Sequence, residues 1–195
     1  EFARAMADVG RRSARVTCDE LDLRGANTLL DIGGGPGIYA IEFVRCWPEL
    51  GVTILDRPEA LEVARQNVHA SGLHDRIKFL PGDAFSDELG GPYDAIFISN
   101  VIHIYSALDN QRLIRRCAEK LAPGGRLILK DFFLDEDRKS PPGGVIFAVN
   151  MLVSTAEGDC YTVTEAESWL GPSGLQLQTV KNVAAKSRLL IAKKP

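Results

Sequence analysis

Short apolar runs alternate with stretches whose apolar residues recur at helical spacing along most of this chain. Phe2, Met6 and Val9 stand among Arg and Asp, which predicts an amphipathic helix from Phe2 to about Thr17. Thr28–Ile32 reads as the first strand, and Ile38–Val44 as a helix that Pro48 brings to an end. Gly51–Leu55, closed by Asp56, is a second strand. Leu61, Val63, Ala64 and Val68 then mark a helix from Pro58 to about Ala70, with Pro58 suited to its first turn. Ile77–Leu80 and Tyr93–Ser99 are the third and fourth strands. A helix over Asp109–Leu121 is stopped by Pro123-Gly124-Gly125, and Arg126–Lys130 follows as the fifth strand. Strands alternating with helices at this rhythm call for parallel pairing with helices on both faces of one sheet.

The later part of the chain changes character. Residues 135–144 form a charged, proline-rich loop, and Ile146–Val153 is an apolar helical stretch. Thr164–Leu170 reads as a short helix, with Thr164 and Glu167 forming a capping box. Leu175–Val180 and Arg188–Ala192 are two closing strands. At 195 residues and 45% hydrophobic content the chain can bury one sizeable core, so 1–195 is read as a single domain. A net charge of −3 from dispersed residues offers no stripe for nucleic acid and no basic patch for a membrane surface. Cys18, Cys46, Cys117 and Cys160 are scattered without C-x-x-C spacing. With no secretory signal in the sequence, they read as reduced thiols of a cytoplasmic protein.

The candidate chemistry begins at Leu29-Leu30-Asp31-Ile32-Gly33-Gly34-Gly35-Pro36-Gly37. Glycines at 33, 35 and 37 let a strand turn sharply into a helix whose free N–H groups face a bound ligand. The spacing is not the G-x-G-x-x-G of dinucleotide sites, and Ile38-Tyr39 stands where a phosphate-binding loop needs Lys-Ser/Thr. No Lys or Arg lies between Asp31 and Arg45 to neutralise a pyrophosphate. An acidic residue before the glycines suits a cationic ligand, and S-adenosylmethionine carries both an ammonium and a sulfonium. Asp56 lies 25 residues after Asp31, where an acid can accept from both ribose hydroxyls. Asp83, in Gly82-Asp83-Ala84-Phe85, can accept from an adenine amino group while Ala84 or Phe85 covers the ring. Each aspartate taken singly also fits a turn or cap.

These segments, Leu-Asp-Ile-Gly-Gly-Gly-Pro-Gly, Ile-Leu-Asp-Arg-Pro and Leu-Pro-Gly-Asp-Ala-Phe, resemble class I S-adenosylmethionine-dependent methyltransferases. Phe2-Ala-Arg-Ala-Met6, Ser99-Asn-Val-Ile-His103 and Leu121-Ala-Pro-Gly-Gly-Arg-Leu narrow the resemblance to the catalytic domain of caffeic acid- and hydroxyindole-type small-molecule O-methyltransferases. It implies an α/β fold, a Rossmann-like doubly wound seven-stranded sheet that is mostly parallel with a C-terminal antiparallel strand. It implies S-adenosylmethionine as cofactor, S-adenosylhomocysteine as product, and a small aromatic acceptor. The cofactor would meet Asp31, Gly33, Gly35, Gly37, Asp56, Arg57, Asp83, Ala84, Phe85 and Ser99, the last replacing a lysine that plant members carry near the adenine. Phe2, Met6, Met151 and Thr155 would line the acceptor pocket.

In this family a histidine at the position of His103 takes the proton of the acceptor hydroxyl, and an acid at Asp131 orients it. A phenol has a pKa of about 10, so a neutral imidazole in reach raises the share of nucleophilic oxygen. The chain departs from the family in reading His103-Ile104-Tyr105 where His-Asp-Trp is usual. A second orienting glutamate falls on Cys160, with Asp159 beside it as a substitute. If the imidazole lacked support, the enzyme could work by proximity alone on an acidic hydroxyl, or methylate carbon or nitrogen; a cofactor-binding module without catalysis is a separate alternative. No cluster has metal-ligand spacing. The family also carries a preceding helical domain that forms a homodimer, and this chain begins where that domain would end.

Overall fold

The structure, a computed structural model, describes residues 2–183 and 187–195, with the backbone alone for residues 2–9. Thirteen principal elements run as α1 (Phe2–Glu20), β1 (Thr28–Ile32), α2 (Ile38–Cys46), β2 (Gly51–Asp56), α3 (Pro58–Ser71), β3 (Ile77–Pro81), β4 (Tyr93–Ser99), α4 (Ala107–Lys120), β5 (Leu121–Asp131), α5 (Pro142–Ser154), α6 (Val163–Leu170), β6 (Gln176–Asn182) and β7 (Arg188–Lys193). A single 3-10 turn, Ile102–Ile104, links β4 to α4.

The seven strands lie in the order β3-β2-β1-β4-β5-β7-β6. β1 to β5 are parallel, and β7 is antiparallel to both neighbours. Helices cover both faces, which is why the central strands are continuous apolar runs rather than alternating ones. Leu29, Phe97 and Ile128 face one layer, packed with Cys18 of α1, Phe43 of α2 and Leu61 of α3. Leu30, Ile96 and Leu127 face the other, packed with Leu113 of α4 and Trp169 of α6. The chain winds outward from β1 to β3 and then returns to place β4 against β1's free edge. That reversal opens a crevice at the strands' C-terminal ends, where α/β sheets of this kind bind ligands.

Several boundaries differ from the sequence pattern, among them that of β5, which begins at Leu121 and takes in the Pro123-Gly124-Gly125 expected to precede it. The capping box belongs to Thr162 and Glu165, not to Thr164 and Glu167. Two Thr-x-x-Glu patterns overlap here; the earlier one buries Ala166, Trp169 and Leu170 against the core, while Glu167 stays exposed. α4 starts at Ala107, because the Ser106 hydroxyl accepts from Asp109 N at 3.2 Å and caps the helix. α5 starts at Pro142, inside the stretch expected to be loop, since proline tolerates the first helical turn.

Candidate active site

The glycine loop does what its sequence requires. Gly33, Gly35 and Gly37 have φ of 68°, 50° and 75°, a region that costs other L-residues. Gly34, which the spacing argument passed over, is the most confined of the four. A Cβ there would lie 2.7 Å from Asp31 Oδ2 and 2.8 Å from Ile54 Cγ2. The loop therefore lies directly over the Asp31 carboxylate. Asp31 is 1% exposed, and its Oδ2 has no hydrogen-bond partner. Burial, and then the nearby charge of Asp56, push its pKa up to about 7. A buried carboxylate with an idle oxygen at the cleft wall is what a cationic ligand group would satisfy.

The cleft has two ends. Asp31, Gly33, Gly34, Gly35, Ser99 and Asn100 line one, with Gly10 and Tyr39 across from them. Asp56, Arg57, Asp83, Ala84, Phe85 and Tyr105 line the other. Ser99 thus stands with Asp31 and not beside Asp83 and Phe85. Asp56 Oδ2 accepts from Gly35 N at 2.8 Å and Oδ1 from Arg57 N at 2.7 Å, tying the end of β2 to the loop. Asp83 Oδ1 accepts from Phe85 N at 2.7 Å, the local turn that aspartate often makes. The Phe85 and Tyr105 rings meet with centroids 4.6 Å apart, forming an aromatic wall fit to cover a planar base. Tyr105, at the tryptophan position of the resemblance, completes that wall.

His103 lies in the 3-10 turn, 8% exposed, with Nδ1 2.6 Å from Asp131 Oδ1. Asp131 ends β5, and its Oδ1 also accepts from Phe132 N at 2.8 Å. An aspartate held this way accepts a hydrogen bond from Nδ1–H and leaves Nε2 as the acceptor nitrogen. Phe147 of α5 packs edge-on against the imidazole at 4.9 Å. Asp159 does not stand in for the missing glutamate. Its Oδ2 accepts from Arg138 Nη2 at 2.5 Å, and Arg138 Nη1 also reaches Glu165 at 2.8 Å. Arg138 thereby anchors the 135–144 loop to the capping box of α6. Cys160 is fully buried, and burial together with the Asp131 and Asp159 charges pushes its thiol up to about 12. Among the described side chains, Asp131 is therefore the imidazole's hydrogen-bond partner.

Two residues that the sequence reading did not single out hold the turn. Asn110 Nδ2 donates to Ile102 O at 2.8 Å and to Tyr105 O at 3.3 Å, and the Tyr161 hydroxyl donates to Tyr105 O at 2.6 Å. Asn110 was visible as a polar residue on the buried stripe of Leu113, Ile114 and Cys117. Tyr161 carried no such signal. Tyr161→Phe removes one hydrogen bond, an expected loss of about 1 kcal/mol. The melting temperature should fall by a few degrees, and kcat should fall while the acceptor KM holds; a kcat equal to wild type would show that the turn stays in place without this bond.

The expected acceptor residues are only partly brought together. Met151 is buried on α5, while the Thr155 hydroxyl is engaged, donating to Met151 O at 2.8 Å and accepting from Gly158 N at 2.8 Å. Thr155 thus closes the helix end rather than offering its hydroxyl to a ligand. The Phe2 and Met6 side chains lie outside the described residues. No group of three or more His, Cys, Asp or Glu among the described residues is placed to hold a metal. No described helix is long and apolar enough to cross a membrane.

The family model of the O-methyltransferase domain matches residues 1–176. The chain belongs to that family. It is 31% identical over 170 residues to a 3-hydroxy-5-methyl-1-naphthoate 3-O-methyltransferase from Streptomyces sahachiroi, a match covering 87% of this chain and 49% of the relative. Human N-acetylserotonin methyltransferase, solved with S-adenosylmethionine, superposes with a TM-score of 0.88 at 29% identity, over 99% of this chain and 55% of that one. An O-methyltransferase family 2 protein from Planctomyces limnophilus, solved with apigenin, gives 0.88 at 28% identity, over 93% and 56%. The chain spans about half the length of the curated relatives it matches. The family's cofactor is S-adenosylmethionine, and the residues present fit it: the orphaned Asp31 oxygen awaits a cation, and the positive-φ glycines leave room where side chains would intrude.

Proposed function

We propose that this O-methyltransferase domain serves an enzyme that methylates a hydroxyl of a small aromatic metabolite, with His103 as general base. The observation that carries the reading is the 2.6 Å contact between His103 Nδ1 and Asp131, two residues beyond Val101 of the cofactor cleft. Asp31, Gly33, Gly35 and Gly37 would hold the aminoacyl side of S-adenosylmethionine, and Asp56, Arg57, Asp83, Ala84 and Phe85 its nucleoside. Ser99 lies at the Asp31 end. When bound, the cofactor supplies a methyl group already activated on sulfonium. The protein needs no covalent intermediate and contributes alignment and a proton acceptor. His103 Nε2 takes the hydroxyl proton, and Asp131 keeps Nδ1 protonated and stabilises the imidazolium that results. Phe132 and Phe147 beside the imidazole give the acceptor side an aromatic lining.

Relatives acting on a naphthoate and on N-acetylserotonin, and one solved with apigenin, support an aromatic acceptor. The apolar face of α5, with Ile146 71% and Leu152 76% exposed beside Val149 and Val153, supports a covering partner. A homodimer built through a preceding helical domain, with Phe2 and Met6 completing the pocket beside Met151 and Thr155, would cover it. The four cysteines are all free thiols, in keeping with a cytoplasmic protein. Labelled S-adenosylmethionine incubated with naphthols, flavones and indoles should give methyl ethers. Label appearing on carbon or nitrogen, or transfer to none of these acceptors, would overturn the assignment.

A further inference from the structure

Lys130 is a buried cation without a counterion. It is 2% exposed and has neither a salt bridge nor a hydrogen bond from Nζ among the described residues. Nζ lies over the Tyr39 ring, 5.5 Å from its centroid. A buried charge left this way is costly, and proteins keep one where a ligand completes it.

Its surroundings indicate which ligand. Lys130 pairs in register with Ser99 across β4 and β5. Both lie two residues beyond Ile128 and Phe97, which face the α1–α2 layer, so they share that face. Ser99 Oγ is buried and also lacks a partner. Asp31, two residues beyond Leu29, points the same way one side-chain repeat earlier, and carries the idle Oδ2. Tyr39, beneath the lysine, lines the cleft with Asp31 and Ser99. Ser99 and Asp31 line the cleft, and Lys130 shares their face of the sheet and lies against Tyr39 of the cleft wall, so an idle hydroxyl, an ammonium and an idle carboxylate stand on one face. The two charges do not answer each other: burial and Asp56 dominate the environment of Asp31, and both raise its pKa.

We propose that Lys130 and Ser99 form a carboxylate site at the Asp31 end of the cleft. Asp31 takes the ammonium of an α-amino acid group and the Lys130–Ser99 pair takes its carboxylate. This rests on the cofactor reading above. The carboxylate can be that of the cofactor's methionyl end or one carried by the acceptor, and binding experiments separate the two.

Lys130→Met keeps the length of the side chain and removes the charge, and it should fold with a melting temperature no lower than wild type, since an unpaired buried cation is gone. Lys130→Gln repeats the test should the first variant misfold. Calorimetry would compare S-adenosylhomocysteine with 5′-methylthioadenosine, which lacks the aminocarboxylate. A loss of about ten-fold or more for S-adenosylhomocysteine, with methylthioadenosine unchanged, places the cofactor's carboxylate at Lys130. Unchanged S-adenosylhomocysteine affinity with a similar loss for 3-hydroxy-2-naphthoate, but not 2-naphthol, places the acceptor's carboxylate there. If the variant binds all four compounds as wild type does, Lys130 holds no carboxylate. If the wild-type chain binds neither adenosine compound, the cofactor reading itself fails, and this site with it.

Discussion

His103→Ala should lower kcat by about two to four orders of magnitude, the usual worth of a positioned general base. Cofactor affinity should hold, because His103 lines neither end of the cleft. The variant also deprives buried Asp131 of a partner, leaving Oδ1 with only the Phe132 N–H and Oδ2 with none. A stability loss of about 1–3 kcal/mol should follow, so rates need comparing well below the melting temperature. The diagnostic readout is the dependence on the acceptor. An acidic phenol arrives largely ionised and needs no base, so the defect should shrink steeply as the acceptor's own pKa falls. Asp131→Asn should show the same trend in milder form, through a misassigned tautomer rather than a missing ring. A defect of equal size across acidic and weakly acidic phenols would mean that His103 shapes the pocket and moves no proton.

The backbone plan was legible because β1, β2 and β4 are nearly continuous apolar runs, and β1, β2 and β3 close on Gly, Pro or Asp. The cofactor cleft was legible for the same reason: positive-φ glycines and strand-end aspartates are local requirements, written where they act. The turn that carries His103 was less so. His103 was recognisable only by resemblance, and what holds it comes from elsewhere in the chain, with Asn110 on α4, Tyr161 before α6 and Asp131 at the end of β5. Such contacts between distant residues leave no periodic trace. The shift of the capping box has a related cause. Both Thr-x-x-Glu patterns satisfy the local rule, and the choice falls to the burial of Trp169 and to Arg138 reaching Glu165. Lys130 was hidden in another way, since a lysine ending a strand reads as a solvated edge until its 2% exposure is seen.

Asp31→Asn should stabilise the ligand-free domain and weaken S-adenosylhomocysteine binding, two opposed effects from one atom. The native carboxyl has its pKa raised from 3.8 to about 7, first by burial and then by Asp56. The folded state therefore holds this proton more tightly than the unfolded chain does. Between about pH 4 and 7 the group costs stability progressively as pH rises, and above about 7 the cost is at its full value. A shift of about three units corresponds to a cost on the order of 4 kcal/mol, which asparagine does not incur. At pH 8 the variant should melt several degrees higher than wild type, and at pH 4 the difference should vanish. Binding runs the other way. The ligand's ammonium needs the ionised carboxylate, so wild-type affinity should rise from pH 5.5 to about 7 and then level off, with a proton released on binding below that point. Calorimetry in two buffers of different ionisation enthalpy counts that proton. The variant should bind about ten- to a hundred-fold more weakly at pH 8 and show little pH dependence over the same range, as expected for loss of a charged hydrogen bond. A wild-type affinity flat from pH 5.5 to 8, with no proton released, would mean that Asp31 is already ionised beneath the glycine loop. A variant that binds as tightly as wild type would place the ammonium elsewhere in the cleft.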